Sequence, residues 1–176
     1  MEPKNLTVEE IRLLESLSSL PQKMLAVHGI SNLTEFVLHE LCDQGCFNLD
    51  KAAYLIDNPD FDCLKGIAGY SKSECSNLSD VWNQPDKFSE HMKCSNFNNI
   101  VRQIHESSVF KSGKNYESTV NELAKNLNLD KAVYYSWPMK HNNHGILIIQ
   151  RPNNNLSSFD QHILKGLSFL AFCPVF

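Results

Sequence analysis

The chain has 176 residues, 42% of them apolar, 10% aromatic and 20% charged, and its 16 basic and 20 acidic side chains give a formal net charge of -4. These values suit one globular domain able to bury a sizeable core, and they exclude the disordered and collagen-like classes. No dense Lys/Arg run supplies the footprint that a phosphate backbone demands, and no apolar run reaches the ~18 residues needed to cross a bilayer, so neither direct nucleic-acid binding nor a membrane is expected.

From the N-terminus, Thr7-Val8-Glu9-Glu10 forms a capping box, and Val8, Ile11, Leu14 and Leu17 follow at helical spacing. Pro21 predicts a kink or a split before the pattern ends at Gly29. Asn32-Leu33-Thr34-Glu35 repeats the cap logic for a second helix whose apolar face includes Phe36, Val37 and Leu41. Two strands then flank a turn at Asn58-Pro59-Asp60, predicting a hairpin that reaches Tyr70. Residues 71–95 lose periodicity and read as a loop with a short helix. Phe97, Ile100, Val101 and Ile104 predict a helix, Ser108 to Lys111 an extended segment, and Val120, Leu123, Ala124 and Leu127 another helix. A second hairpin is predicted from 131–138 and 144–150 around a polar turn. A final helix is expected to start at Ser157, with Asp160 at its third position, and to stop before Pro174.

The first residues, Met-Glu-Pro-Lys-Asn, lack the basic and apolar regions of a secretory signal, so a cytoplasmic location is expected. The cysteines, at 42, 46, 63, 75, 94 and 173, are then expected to be reduced and mostly protected. On the same ground the Asn-Leu-Ser/Thr triplets at Asn5, Asn32, Asn77 and Asn155 are taken for helix caps ahead of glycan acceptors. His39, Cys42 and Cys46 have a spacing that would suit Zn²⁺, but no fourth ligand is evident and a packed Cys42 beside a solvated His39 is favoured. His141 and His144 bracket a turn and are expected to be exposed.

This order of elements resembles the GAF family over about Leu33 to Ala171. The stretches that carry the likeness are 49–57 as a first strand, Tyr135-Ser-Trp-Pro-Met139 and Gly145-Ile-Leu-Ile-Ile149 as later strands, and Leu156-Ser-Ser-Phe-Asp160 at the last helix. The resemblance implies an α/β (α+β) fold, with a central antiparallel sheet carrying the terminal helices on one face and connecting helices and loops on the other. Residues 1–30 would be a helical extension, and 31–176 the domain. It further implies a pocket bounded by Tyr70, Trp82, Phe97, Ile104, Tyr135 and Trp137, although large aromatics are equally core residues.

The nucleotide-binding signature of the family is incomplete here: Arg151 and Asp160 keep its charges, while its Asn, Phe and Glu are replaced. Cys75 and Cys94 lie where redox-active relatives place cysteines, without the accompanying Gly-rich and acidic motifs. The expectation is a regulatory domain that senses an unidentified small molecule, has no chemistry of its own and pairs with a second copy through its terminal helices. A ligand-free dimerisation module and a cysteine-dependent methionine sulfoxide reductase are the alternatives.

Overall fold

A computed structural model of the protein describes residues 7–113 and 115–152 and, near the C-terminus, residues 166, 167, 169–171 and 173. Helix α1 (Val8–Ala26) opens at the expected capping box, in which Thr7 Oγ1 accepts from the Glu10 N–H at 3.2 Å and Glu10 Oε2 accepts from the Thr7 N–H at 2.8 Å. Pro21 does not split it. Leu17 and Leu20 before the proline and Met24 after it all pack on the core, so tertiary contact offsets the missing hydrogen bond. In α2 (Leu33–Cys42) the expected side-chain cap is not made. Asn32 Oδ1 accepts instead from Ser89 Oγ at 3.0 Å, a partner distant in sequence.

Strands β1 (Lys51–Asn58) and β2 (Cys63–Ser71) form the predicted hairpin, with an irregularity between Tyr54 and Leu55. Helices α3 (Pro85–Cys94) and α4 (Asn96–Arg102) occupy the aperiodic region and the segment after it. The two-residue strand β3 (His105–Glu106) pairs with Leu64 and Lys65. The segment from Ser108 to Lys111, expected to be extended, is the helical turn α5 (Val109–Ser112). Ser108 Oγ accepts from the Lys111 N–H at 3.1 Å and Asp57 Oδ2 from the Val109 N–H at 2.8 Å, so a cap and a buried carboxylate fix it as helix. Then follow α6 (Tyr116–Asn126) and the second hairpin, β4 (Val133–Pro138) with β5 (His144–Gln150).

The five strands form one antiparallel sheet in the order β3-β2-β1-β5-β4. Alternation along β1 sends Ala52, Tyr54 and Ile56 to one face and Ala53 and Leu55 to the other. The first face carries α1, α2, Phe88 and Met92 of α3, and Leu167, Leu170 and Cys173 from the end of the chain. The second carries α4, α5 and α6 through Phe97, Val101, Val109, Val120, Leu123 and Ala124. On this second side α4 lies so close to β2 that a Cβ on Gly66 would stand 1.8 Å from the Val101 carbonyl oxygen, and one on Gly69 2.7 Å from Val101 Cγ2. The Asn98 amide seals the contact, its Oδ1 accepting from the Gly69 N–H at 2.8 Å and its Nδ2 donating to the Met92 carbonyl at 3.1 Å. The expected start of the last helix at Ser157, and the Arg151–Asp160 pair, fall outside the described residues.

Candidate functional site

The six residues expected around one pocket are divided by the sheet. Tyr70, Trp82, Tyr135 and Trp137 belong to the α1/α2 side, whereas Phe97 and Ile104 pack on the α4/α6 side. Period-two alternation explains why Tyr135 and Trp137 share a face, and that signal was open to inspection in the sequence. Trp137 stacks on Tyr54 with centroids 5.7 Å apart, over Gly145, where a Cβ would meet the indole at 2.4 Å. Tyr135 OH accepts from Arg151 Nη2 at 3.3 Å.

Trp82 belongs to a polar junction centred on Glu40, a buried residue of α2. Glu40 Oε1 accepts from Ser16 Oγ at 2.7 Å and Lys23 Nζ at 2.8 Å, and Oε2 accepts from Trp82 Nε1 at 2.8 Å. Lys23 also stands 5.8 Å from the Trp82 ring centre. One carboxylate thus ties two turns of α1 to α2 and to the loop before α3. Sequence reasoning missed it, because its partners are 17, 24 and 42 positions away.

His39 is not solvated as expected. Its ring lies between Tyr70 and Phe88, with Nδ1 2.9 Å from Tyr70 OH. Burial pushes its pKa below the ordinary 6.5, outweighing Glu40 and Asp43, which act the other way, and Lys23, which adds to the lowering. The unfolded chain therefore binds a proton near pH 6.5 that the folded one refuses. The stability tied to this ring is complete above that pH and is lost as pH falls through the folded value. In urea titrations from pH 7.5 to 5.5, the parent is expected to lose stability faster than His39→Gln, by up to ~1.4 kcal/mol per pH unit. Parallel curves for the two proteins would show that the ring is not buried in neutral form.

Cys42, Cys46, Cys75 and Cys173 are buried, Cys63 is half-buried and Cys94 is exposed. Burial raises the Cys75 thiol to about 11 and the Cys46 thiol to about 12, the opposite of what a reactive thiolate needs. Among the described residues no three His, Cys, Asp or Glu side chains are grouped to hold a metal ion. His141 is exposed, but His144 is half-buried and stacks on Phe110 with centroids 3.7 Å apart, correcting the expectation for that residue.

A cleft of about 660 Å3 opens where the start of α2 meets α3 and α4. Glu35, Asn98 and Arg102 line it, with Ile30 and Met92 as apolar wall and Asp86, Glu90 and Lys93 toward the outside. The Glu35 side chain is only 3% exposed, and its Oε1 accepts from Arg102 Nη1 at 2.9 Å and Asn98 Nδ2 at 3.3 Å. Burial raises its pKa, against the lowering influence of its own backbone N–H, Arg102 and Asn98. The sequence suggested Glu35 as a capping residue. Its partners, 63 and 67 positions away in α4, become visible only in the folded chain.

No family model matches the sequence, and no curated protein matches it. Among solved structures, the chain is similar to the GAF domain from a phosphoenolpyruvate-protein phosphotransferase of Coxiella burnetii, with 14% identity and a TM-score of 0.54 over 94% of this chain and 93% of that one. The fold is therefore GAF-like.

Proposed function

We propose that this chain is a cytosolic regulatory domain that senses a small molecule and passes its state to a second copy through α1, without catalysing a reaction itself. The observation that carries this reading is the two-sided character of α1. At ~100° per residue, Leu13, Leu17 and Leu20 occupy a narrow sector that is buried on the core, while Val8, Ile11, Leu14 and Leu25 share a separate ~120° sector. Those four remain 66%, 43%, 36% and 72% exposed, so the helix has a second set of apolar side chains that the described residues leave largely open. Leu17, which the helical spacing grouped with Val8, Ile11 and Leu14, belongs to the core.

A second copy suits this surface because the stripe is self-complementary. Two α1 helices related by a two-fold axis set one stripe against the other, and the same contacts form twice. Full burial of an aliphatic side chain contributes about 1.5–3 kcal/mol, enough for four per protomer to offset the cost of association. The Glu40 junction joins this helix to the body of the domain. Sedimentation is expected to give a dimer for the parent and a folded monomer for Ile11→Asp with Leu14→Asp. A parent that is monomeric at tens of micromolar, a working range for weak association, would rule out the pairing.

A ligand-free interaction module is the second reading. It is favoured by the close seating of α4 on Gly66 and Gly69, which fills that part of the sheet face with protein. Native mass spectrometry separates the two, since a co-purified small molecule is expected only for a sensor. The buried, weakly acidic Cys75 speaks against the reductase alternative.

A further inference from the structure

We infer that the cleft between the start of α2 and the α3–α4 corner binds an uncharged small molecule through a carboxamide, whose oxygen accepts from Asn32 and Arg102. The inference rests on the sensing role proposed above and gives that role a site and a ligand chemistry. The cleft, at about 660 Å3, is within the size range of small-molecule sites. It is not the pocket expected from the aromatic residues, and of those six residues none lines it.

Its hydrogen-bonding groups define what would complete it. Asn32 stands at the N-cap of α2 without capping it, because its Oδ1 is turned to Ser89 Oγ. Its Nδ2 is thereby left buried with no acceptor among the described residues, an arrangement that costs stability until a partner arrives. Arg102 gives Nη1 to Glu35 at 2.9 Å, and its side chain remains 51% exposed, so a guanidinium with five N–H donors still has some to offer. The other nitrogen donors of the cleft are engaged. Lys93 is paired with Glu90, the Asn98 Nδ2 serves the Met92 carbonyl and Glu35, and the Asn99 Nδ2 serves the Lys93 carbonyl.

What the cleft lacks is therefore an acceptor oxygen, and charge decides which kind. Glu35, Asp86 and Glu90 against Lys93 and Arg102 leave one net negative charge on the lining, and the Arg102 charge is already met by Glu35. A carboxylate or phosphate would add to that negative charge beside a buried carboxyl. An ammonium group has only donors and leaves the Asn32 Nδ2 unmet. An amide oxygen has two lone pairs, one for each donor, and no charge. Its N–H can donate to Asp86 at the exposed rim, and Ile30 and Met92 provide apolar surface for the body that carries it.

Four probes of similar size test this: valeramide, sodium valerate, n-pentylamine and δ-valerolactam. The measurement is the change in the ¹⁵N-resolved resonances of the Asn32 side-chain amide and Arg102 Nε during titration at constant pH and ionic strength. Valeramide is expected to move both signals saturably, and to bind several-fold more tightly than valerate or pentylamine. Saturable shifts with the lactam as well would extend the class to cyclic amides, whereas valeramide alone would restrict it to open-chain ones. Asn32→Asp keeps an acceptor for Ser89 and removes only the donor. It is expected to weaken valeramide binding at least fivefold, read at Arg102 Nε. Arg102→Lys keeps a cation for Glu35 and is expected to weaken it several-fold, read at Asn32.

The inference is overturned if valeramide shifts these signals no more than valerate or pentylamine does, or if Asn32→Asp binds it as tightly as the parent. Should Asn32→Asp fail to fold, Arg102→Lys decides the second comparison in the same way. Native mass spectrometry of the parent keeps the two levels apart. A co-purified molecule together with no valeramide binding would remove this site and preserve sensing, and the absence of both co-purified ligand and valeramide binding would remove both.

Discussion

Gly66→Ala is expected to destabilise the protein by at least ~3 kcal/mol, the upper range for forcing extra volume into a packed interior. The added methyl would meet a backbone carbonyl, that of Val101, at 1.8 Å, and also Ile104 Cβ at 3.3 Å. A flexible side chain could swing aside, but a carbonyl inside α4 moves only if the helix moves. That displacement would strain the Asn98 contacts and withdraw Phe97 and Val101 from the core. Gly113→Ala is the control: Gly113 has φ +63 with nothing within 4 Å of its added Cβ, so its cost of ~1 kcal/mol is conformational alone. Urea midpoints for the two variants would measure the difference, and equal losses would mean that α4 does not rest on β2 as described.

Glu40→Ala is expected to cost about 2–4 kcal/mol, because three donors lose one shared acceptor. Lys23 is 34% exposed and can turn to water, so Ser16 and the Trp82 indole bear most of the loss. The change should also be local. Amide exchange in α1 should accelerate beyond that in β1 and β5, because the helix keeps its leucines in the core but loses its polar anchor. Uniform acceleration across the sheet would show that Glu40 supports the whole fold and gives α1 no separate tether. Glu40→Gln, which retains an acceptor for Trp82, should recover part of the stability.

Both hairpins were legible because their signals are local: an Asn-Pro-Asp turn between apolar runs, and a Gly-led apolar strand after a polar turn. The α1 cap was legible for the same reason, since Thr7 and Glu10 need only each other. Failures began where a polar side chain had a distant partner available. Asn32 was expected to cap α2 and instead meets Ser89. Glu35 was expected to complete that cap and pairs with Arg102, and Ser108 starts a helical turn because Asp57 waits for the Val109 N–H. The aromatic set failed differently. Periodicity marks each ring as interior, but it does not say on which side of the sheet a ring from a helix falls relative to one from a strand.

The grip of α4 on β2 also bears on how the protein avoids sticking to itself. A strand at the border of a sheet exposes a row of backbone donors and acceptors that another chain can extend. Here β3 covers only Leu64 and Lys65, which would leave the rest of β2 open to such recruitment. The Gly69 N–H is instead taken by Asn98, and the Gly66 N–H by the Ile104 carbonyl at 3.0 Å. At the opposite border β4 ends in Pro138, which has no N–H to offer. Loosening α4 would therefore do more than weaken the core: it would uncover a template for intermolecular strand growth, so Gly66→Ala should show its damage first as aggregation.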